Sequence, residues 1–351
     1  MGYYPHGSKL FSDLTHYFRS WGFVIALARD SQNINDYASA LGALAHYSSD
    51  NNGHHLGTNL AVPMLYPKLA KKYGSVVTYE DDPIAHVKTE FGFDVIEVVQ
   101  GRYTAENYHN FIGFAVSIPL LERAFLETYG LELKAIFTDE DRSINSYRNT
   151  VGNLLPKATR IAWVLKKNDI QRDMPGITRK NFLYNLSRVE YEKDWGKNYQ
   201  PPTAGDRFLA FLTQLLPKVG PLRVLEFRTP TPDAEKLFES SFNTSLDRYK
   251  GLLSQLSKNQ LYLPNCNFDV GGITKRGQYH LSDTTCAALL NKLSANRFAT
   301  TSLTLRTDLL VYFSSSETTP LKKQDAKANL KLEEQLHQLQ QSSATASSNL
   351  P

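Results

Sequence analysis

Cysteine is nearly missing from this chain. Only Cys266 and Cys286 occur in 351 residues, which excludes a disulfide framework and a structural thiolate metal site and leaves room for at most one intramolecular disulfide. Long apolar runs are missing as well. The longest near the start, Trp21 to Ala28, is stopped by Arg29 and Asp30 and is too short to span a bilayer, so no transmembrane segment is expected. No signal peptide is visible. Charge of one sign does not dominate either: the net charge is +4, and the lysines and arginines stand singly or in doublets. That spacing does not make a nucleic-acid patch, so no nucleic-acid partner is favoured. It leaves a weak attraction to anionic membrane surfaces open. Internal repeats, a phosphate-cradling glycine loop and a serine-hydrolase elbow are also absent.

What is present reads as helical. The hydrophobic content of 41% is ordinary for a globular chain, and the length carries a soft expectation of two domains. Ile34, Tyr37, Ala38, Leu41 and Ala45 recur at helical spacing, so Asp36 to Asp50 reads as an amphipathic helix. Asn51, Asn52 and Gly53 then signal an end or a distortion. Asp81 and Asp82 before Pro83 predict a helix start, and so does Thr231-Pro232-Asp233, whose helix would carry the stripe Leu237, Phe238, Phe242, Leu246 and Tyr249. Residues 105 to 129 are apolar-periodic with Pro119 as a kink or divide. Further helices are expected at about 140 to 168, 178 to 192 and 205 to 217. Gly196 to Asp206, with Pro201 and Pro202, is the clearest linker. Apolar runs at Arg223 to Phe227 and Leu309 to Phe313 allow a minor strand pair. Lys322 to Gln341 offers a thin seam of Leu330, Leu332, Leu336 and Leu339, suited to a solvated or partner-binding helix, and a disordered tail is expected after it.

Histidine carries the chemistry. Five of the nine fall between residues 16 and 86: His16, His46, His54, His55 and His86. Asp50 follows His46 and Glu90 follows His86 by four residues, one helical turn, which stacks both members of each pair on one face. Imidazole nitrogen and carboxylate oxygen are suitable zinc ligands. A single such pair is usually a solvated ion pair or a satisfied core histidine, and it is the joint pattern that points to metal. Gly42, one turn before His46, reads as a place where a second backbone approaches. His16 sits in Ser12-Asp13-Leu14-Thr15-His16-Tyr17, expected on a short helix.

In this order, His16, then Ala45-His46-Tyr47-Ser48-Ser49-Asp50, then Gly53-His54, then His86-x-x-x-Glu90, the residues resemble the bacterial zinc-dependent phospholipase C family. The ligand motifs cover residues 1 to 100, and residues 101 to 313 look like a helical extension found in a bacterial subgroup. The resemblance implies an all-α fold, a phospholipase C/P1 nuclease-like bundle, with up to three zinc ions at the bottom of a cleft. It implies that His54, His86 and Glu90 hold one ion, that His16, His46 and Asp50 hold a second, and that Asp50 bridges toward a third, with His55 in reserve for His54. The domains expected are a zinc-binding helical domain over 1–195, a helical extension packed on it over 196–313, and a polar helix with a disordered tail over 314–351.

One departure from the family pattern shapes the expectation for activity. The family's general-base aspartate lies upstream of a segment like Gly2-Tyr3-Tyr4-Pro5, as do a further histidine and an N-terminal tryptophan. The catalytic base is therefore expected upstream of Met1, with one zinc site complete, one lacking a ligand and one mostly missing. The implied reaction is hydrolysis of phospholipid phosphodiester bonds by a secreted or periplasmic enzyme in peripheral contact with membrane, impaired in this form. Two other readings are carried: a zinc nuclease or nucleotidase of the P1 type, and a non-catalytic lipid-binding or interaction module with a vestigial metal site. Tyr3, Tyr4, Tyr17 and Tyr47 lie near the ligands in sequence and suit a quaternary ammonium head group, although core packing is the expected role for most of them.

Overall fold

Helix boundaries fall where short polar side chains replace missing helical partners. The computed structural model describes residues 8–99, 117–149, 168, 171–172, 226–314 and 326–342. Helix α1 (Lys9–Tyr17) starts where the Ser8 hydroxyl accepts from the Phe11 amide. Arg19 then takes a left-handed backbone, φ 52°, before α2 (Ser20–Arg29). The strain is offset by its guanidinium, which donates to the Thr128 carbonyl at 2.8 Å and pairs with Asp308 at 3.1 Å. Helix α3 (Ile34–Gly53) opens on a reciprocal cap: Asn33 accepts from the Asp36 amide, and Asp36 accepts from the Gln32 amide. At Asn51 to Gly53 the chain distorts rather than ends, passing into a π-helical turn over His54–Thr58 and on to α4 (Asn59–Leu65). Helix α5 (Pro67–Tyr73) follows, and α6 (Pro83–Val99) is capped as expected, with the Ala85 amide donating to Asp82 at 2.9 Å.

The remaining helices are α7 (Ile118–Tyr129), α8 (Glu140–Asn149), α9 (Pro232–Ser257), α10 (His280–Ala295), α11 (Leu303–Ser314) and α12 (Ala326–Gln341). Thr231 caps α9, its hydroxyl accepting from the Ala234 amide. Among the described residues no strand forms and the β features are isolated bridges, such as that between Asn267 and Gly272, so the fold is all-α.

The chain forms two units, one from Met1–His54, Ala115–Ser146 and Thr244–Pro351, the other from His55–Phe114 and Tyr147–Asn243. In the first, Leu14, Phe125, Tyr129, Leu289, Leu293, Leu305 and Leu309 belong to one buried cluster. The Tyr129 hydroxyl donates to the carbonyls of Leu14 and Phe18, which fixes the end of α1 that carries His16. A neighbouring cluster joins Trp21 and Val24 of α2 to Leu44 and Tyr47 of α3, Leu252 of α9 and Phe268. In the second unit Phe93 stacks on Phe238 with centroids 4.7 Å apart, beside Ala61, Leu65 and Ala234. Val62, Val77 and Ala85 make a further cluster that holds α4 against α6.

Several expectations are corrected. The apolar stripe read on α3 is not its buried face: Ile34 and Tyr37 are exposed, and Ala40, Leu44, Tyr47 and Asn51 are buried, because the packing partners Leu252 and Phe268 meet that side. Leu309 to Phe313 is helical, within α11, with Leu305, Leu309, Tyr312 and Phe313 buried at helical spacing; a short apolar run does not distinguish strand from helix. Pro119 occupies the first turn of α7, where it breaks no hydrogen bond and causes no kink. On α9, Phe242 and Leu246 are exposed. Helix α12 is not a solvated appendage: Leu332 and Leu339 are buried in the first unit's core and Leu336 packs against it. Its seam is thin because Gln335, also buried, donates to Asn291 and Ser294 of α10. Cys266 and Cys286 are both buried and free, so the available disulfide is not formed. The expectations for 105–116, 150–167, 178–192, 196–217, 223–225 and the tail lie outside the described residues.

Candidate metal centre

His46 and Asp50 lie one turn apart on α3, and the His46 Nε2 stands 3.2 Å from Asp50 Oδ2. The last turn of α1 adds His16, whose Nε2 is 3.2 Å from His46 Nε2 and 3.6 Å from Asp50 Oδ2. Three ligand atoms from two helices thus converge. Zinc bound by nitrogen at 2.0–2.1 Å in a tetrahedron separates neighbouring ligand atoms by about 3.3 Å. The three observed spacings match one triangular face of that tetrahedron, with the fourth corner left for a water or a substrate oxygen.

The protonation of His16 suits the role. Its Nδ1 lies 2.6 Å from the Ser12 carbonyl oxygen, an acceptor only, so the proton sits on Nδ1 and the Nε2 lone pair faces the other ligands. Burial, reinforced by His46, lowers its pKa to about 4, against the opposing pull of Asp50 and the Ser12 carbonyl. The ring is therefore neutral at physiological pH, the form that binds metal. His46 is the open side, its side chain 52% exposed against 17% for Asp50. Phe268 closes the other side, its ring 5.3 Å from His16 and 5.8 Å from His46, and its amide donates to the His16 carbonyl at 3.0 Å.

The remaining candidates are distributed over the two units. His54 ends the first unit, its Nδ1 2.9 Å from Asp269 Oδ1. His55 follows in the π turn and is partly buried. His86 and Glu90 form their own pair in the second unit, on α6, with Nδ1 3.3 Å from Glu90 Oε1. His86 is fully buried; its Nε2 is 3.0 Å from Asn59 Oδ1 and the Tyr79 ring stands edge-on at 5.6 Å. With the proton donated to Asn59, Nδ1 keeps its lone pair at a zinc-like spacing from the carboxylate.

Gly42 does not admit a second backbone: no heavy atom lies within 4 Å of a β-carbon built there. Tyr47 is core, fully buried with its hydroxyl donating to the Pro264 carbonyl at 2.8 Å, and Tyr17 is buried as well; Tyr3 and Tyr4 lie outside the described residues. Sequence reasoning missed Ser12, Asn59, Phe268 and Asp269. Ser12 was within reach as the residue four before His16 on the same helix, whereas Asn59, Phe268 and Asp269 carry no periodic signal.

No curated protein and no solved structure matches the chain. Residues 1–139, the stretch that carries every candidate ligand from His16 to Glu90, match the family model described as zinc dependent phospholipase C. Over that stretch the chain is similar to the zinc-dependent phospholipase C family, a similarity that supports hydrolysis of phospholipids with zinc.

Proposed function

We propose that His16, His46 and Asp50 hold one zinc ion at the reacting phosphate, that His86 and Glu90 are ligands in the second unit, and that the enzyme works in peripheral contact with a membrane. The convergence of three ligand atoms 3.2–3.6 Å apart carries the reading. Bound zinc supplies Lewis acidity toward phosphate oxygens and toward water at neutral pH. The chain's own residues do the rest. Asp50 contributes a negative charge that partly offsets the cation, and His16 and His46 bind as neutral donors. Ser12 holds the His16 tautomer, and Phe268 excludes water from the closed side. The half-exposed His46 leaves an approach for a phosphodiester. Water is added across the phosphorus–oxygen bond on the glycerol side, releasing diacylglycerol and a phosphorylated head group.

Membrane contact is supported by the surface of the second unit. Met64, Val76, Ile84 and Val87 are exposed next in sequence to members of the buried Val62, Val77 and Ala85 cluster or close to them, and Lys68, Lys71 and Lys72 are exposed on α5. Apolar side chains beside lysines suit adsorption to an anionic lipid surface. No described helix is long and apolar enough to cross a membrane.

The test is hydrolysis of phosphatidylcholine in mixed vesicles, before and after chelation and with zinc restored. Chelation is expected to abolish release of the phosphorylated head group and zinc to recover it, with Asp50→Asn failing to recover. Turnover unchanged by removal of all zinc would refute the reading.

A further inference from the structure

We propose that Phe268, which lies beyond the family-matched residues 1–139, is a positioning residue of the metal centre: its ring sets the angle between His16 and His46 and keeps zinc there four-coordinate. The proposal rests on reading His16, His46 and Asp50 as one zinc site.

An imidazole turns easily about the bond from its β-carbon, because that torsion has broad wells. A ring that binds metal is ordinarily steadied by an outer hydrogen bond on its second nitrogen. His16 has one, from Nδ1 to the Ser12 carbonyl. His46 is held differently. Its described polar contacts, to His16 and to Asp50, both run through Nε2, and its side chain is 52% exposed. What flanks this ring is aromatic: Phe268 meets it at 79° with centroids 5.8 Å apart, and His16 meets it at 74° and 5.1 Å. Phe268 also stands at 65° and 5.3 Å from His16. The three rings brace one another pairwise in edge-to-face contacts, a geometry that aromatic pairs favour. Turning either imidazole away breaks two of the three contacts.

Such a brace works only if Phe268 is itself fixed, and it is. The residue is 2% exposed, and its ring packs edge-on against Tyr47 with centroids 5.5 Å apart. Its amide donates to the His16 carbonyl at 3.0 Å. The flanking residues are tied to α1, α2 and α3: the Tyr17 hydroxyl donates to Asp269, the Ser20 hydroxyl to the Cys266 carbonyl, the Gly22 amide to Asn265 Oδ1 and the Tyr47 hydroxyl to the Pro264 carbonyl, all at 2.7–3.0 Å. A hydrocarbon ring held there offers no donor or acceptor to steady a water, so solvent joins the ion from the exposed His46 side. Three protein ligands and one open corner make a coordination number of four.

The experiment uses the full chain loaded with zinc or with cobalt(II), whose visible absorption is intense in a four-coordinate site and weak at higher coordination number. Phe268→Leu keeps apolar bulk and removes the aromatic edge, Phe268→Ala removes both, and Leu252→Ala truncates another member of the same buried cluster as a control. Wild type and L252A are expected to give the intense spectrum and equal zinc affinity by chelator competition. F268L and F268A are expected to absorb several-fold less and to bind zinc about 10–100-fold more weakly, the loss that removal of an outer partner brings. Wild-type spectrum and affinity in a folded F268L overturns the proposal, and so does an equal loss in L252A, which would make Phe268 core packing alone. Should F268A not fold, F268L decides. A wild type that binds zinc but leaves phosphatidylcholine intact would refute the hydrolase reading and still let the spectrum and the affinity judge Phe268.

Discussion

His46–Asp50 on α3 and His86–Glu90 on α6 are the same pattern in sequence and different objects in space. Both place a ring nitrogen 3.2–3.3 Å from a carboxylate oxygen one turn away. The first has an exposed histidine, and its third donor, His16, arrives from another helix. The second has a fully buried histidine whose other nitrogen is held by Asn59. Helical spacing builds one edge of a coordination polyhedron, and tertiary packing decides whether that edge gains a third ligand or an oriented tautomer.

The comparison can be broken at three points. The largest effect is expected at Asp50, whose Oδ2 is shared by His16 and His46: Asp50→Ala should weaken zinc binding by more than the roughly 100-fold that loss of an outer partner costs, as read by chelator competition. Undiminished affinity would mean that the three atoms do not share an ion. Smaller and of a different kind is the effect of Asn59→Ala. It removes the acceptor for a buried imidazole N–H, so a loss of about 1–3 kcal/mol in stability is expected from urea unfolding, with zinc bound by His16, His46 and Asp50 unaffected. The smallest change tests a correction. Gly42 is exposed in mid-helix with space around it, so Gly42→Ala should stabilise by about 0.5–1 kcal/mol with zinc affinity unchanged; a loss of affinity would restore the close-approach reading.

The legible parts of the molecule were those with a local cause. Asp82 before Pro83 and Thr231 before Pro232 announce helix starts because a cap acts within three residues. The two histidine–carboxylate pairs are visible because their geometry is set by one helix. The grouping of His16 with His46 and Asp50 came from family resemblance, since nothing local links residue 16 to residue 46. What stayed hidden depends on distant partners. The buried face of α3 is chosen by Leu252 and Phe268, some 200 residues away. Helix α12 looked too polar to belong to a core, yet Gln335 is satisfied there by Asn291 and Ser294. Asp269 has no periodic context at all; its meaning comes from three donors contributed by residues 17, 54 and 279.

The Phe268–His16 contact has a consequence for the order of assembly. Histidines made early in synthesis acquire their apolar wall from a stretch made more than two hundred residues later. A nascent chain can therefore present His46 and Asp50 on a helix but not a shielded pocket, and closing so long a loop is a slow, late event in folding. Zinc captured before that moment would sit on an open, solvated edge, so secure loading of this enzyme awaits the arrival of its C-terminal third.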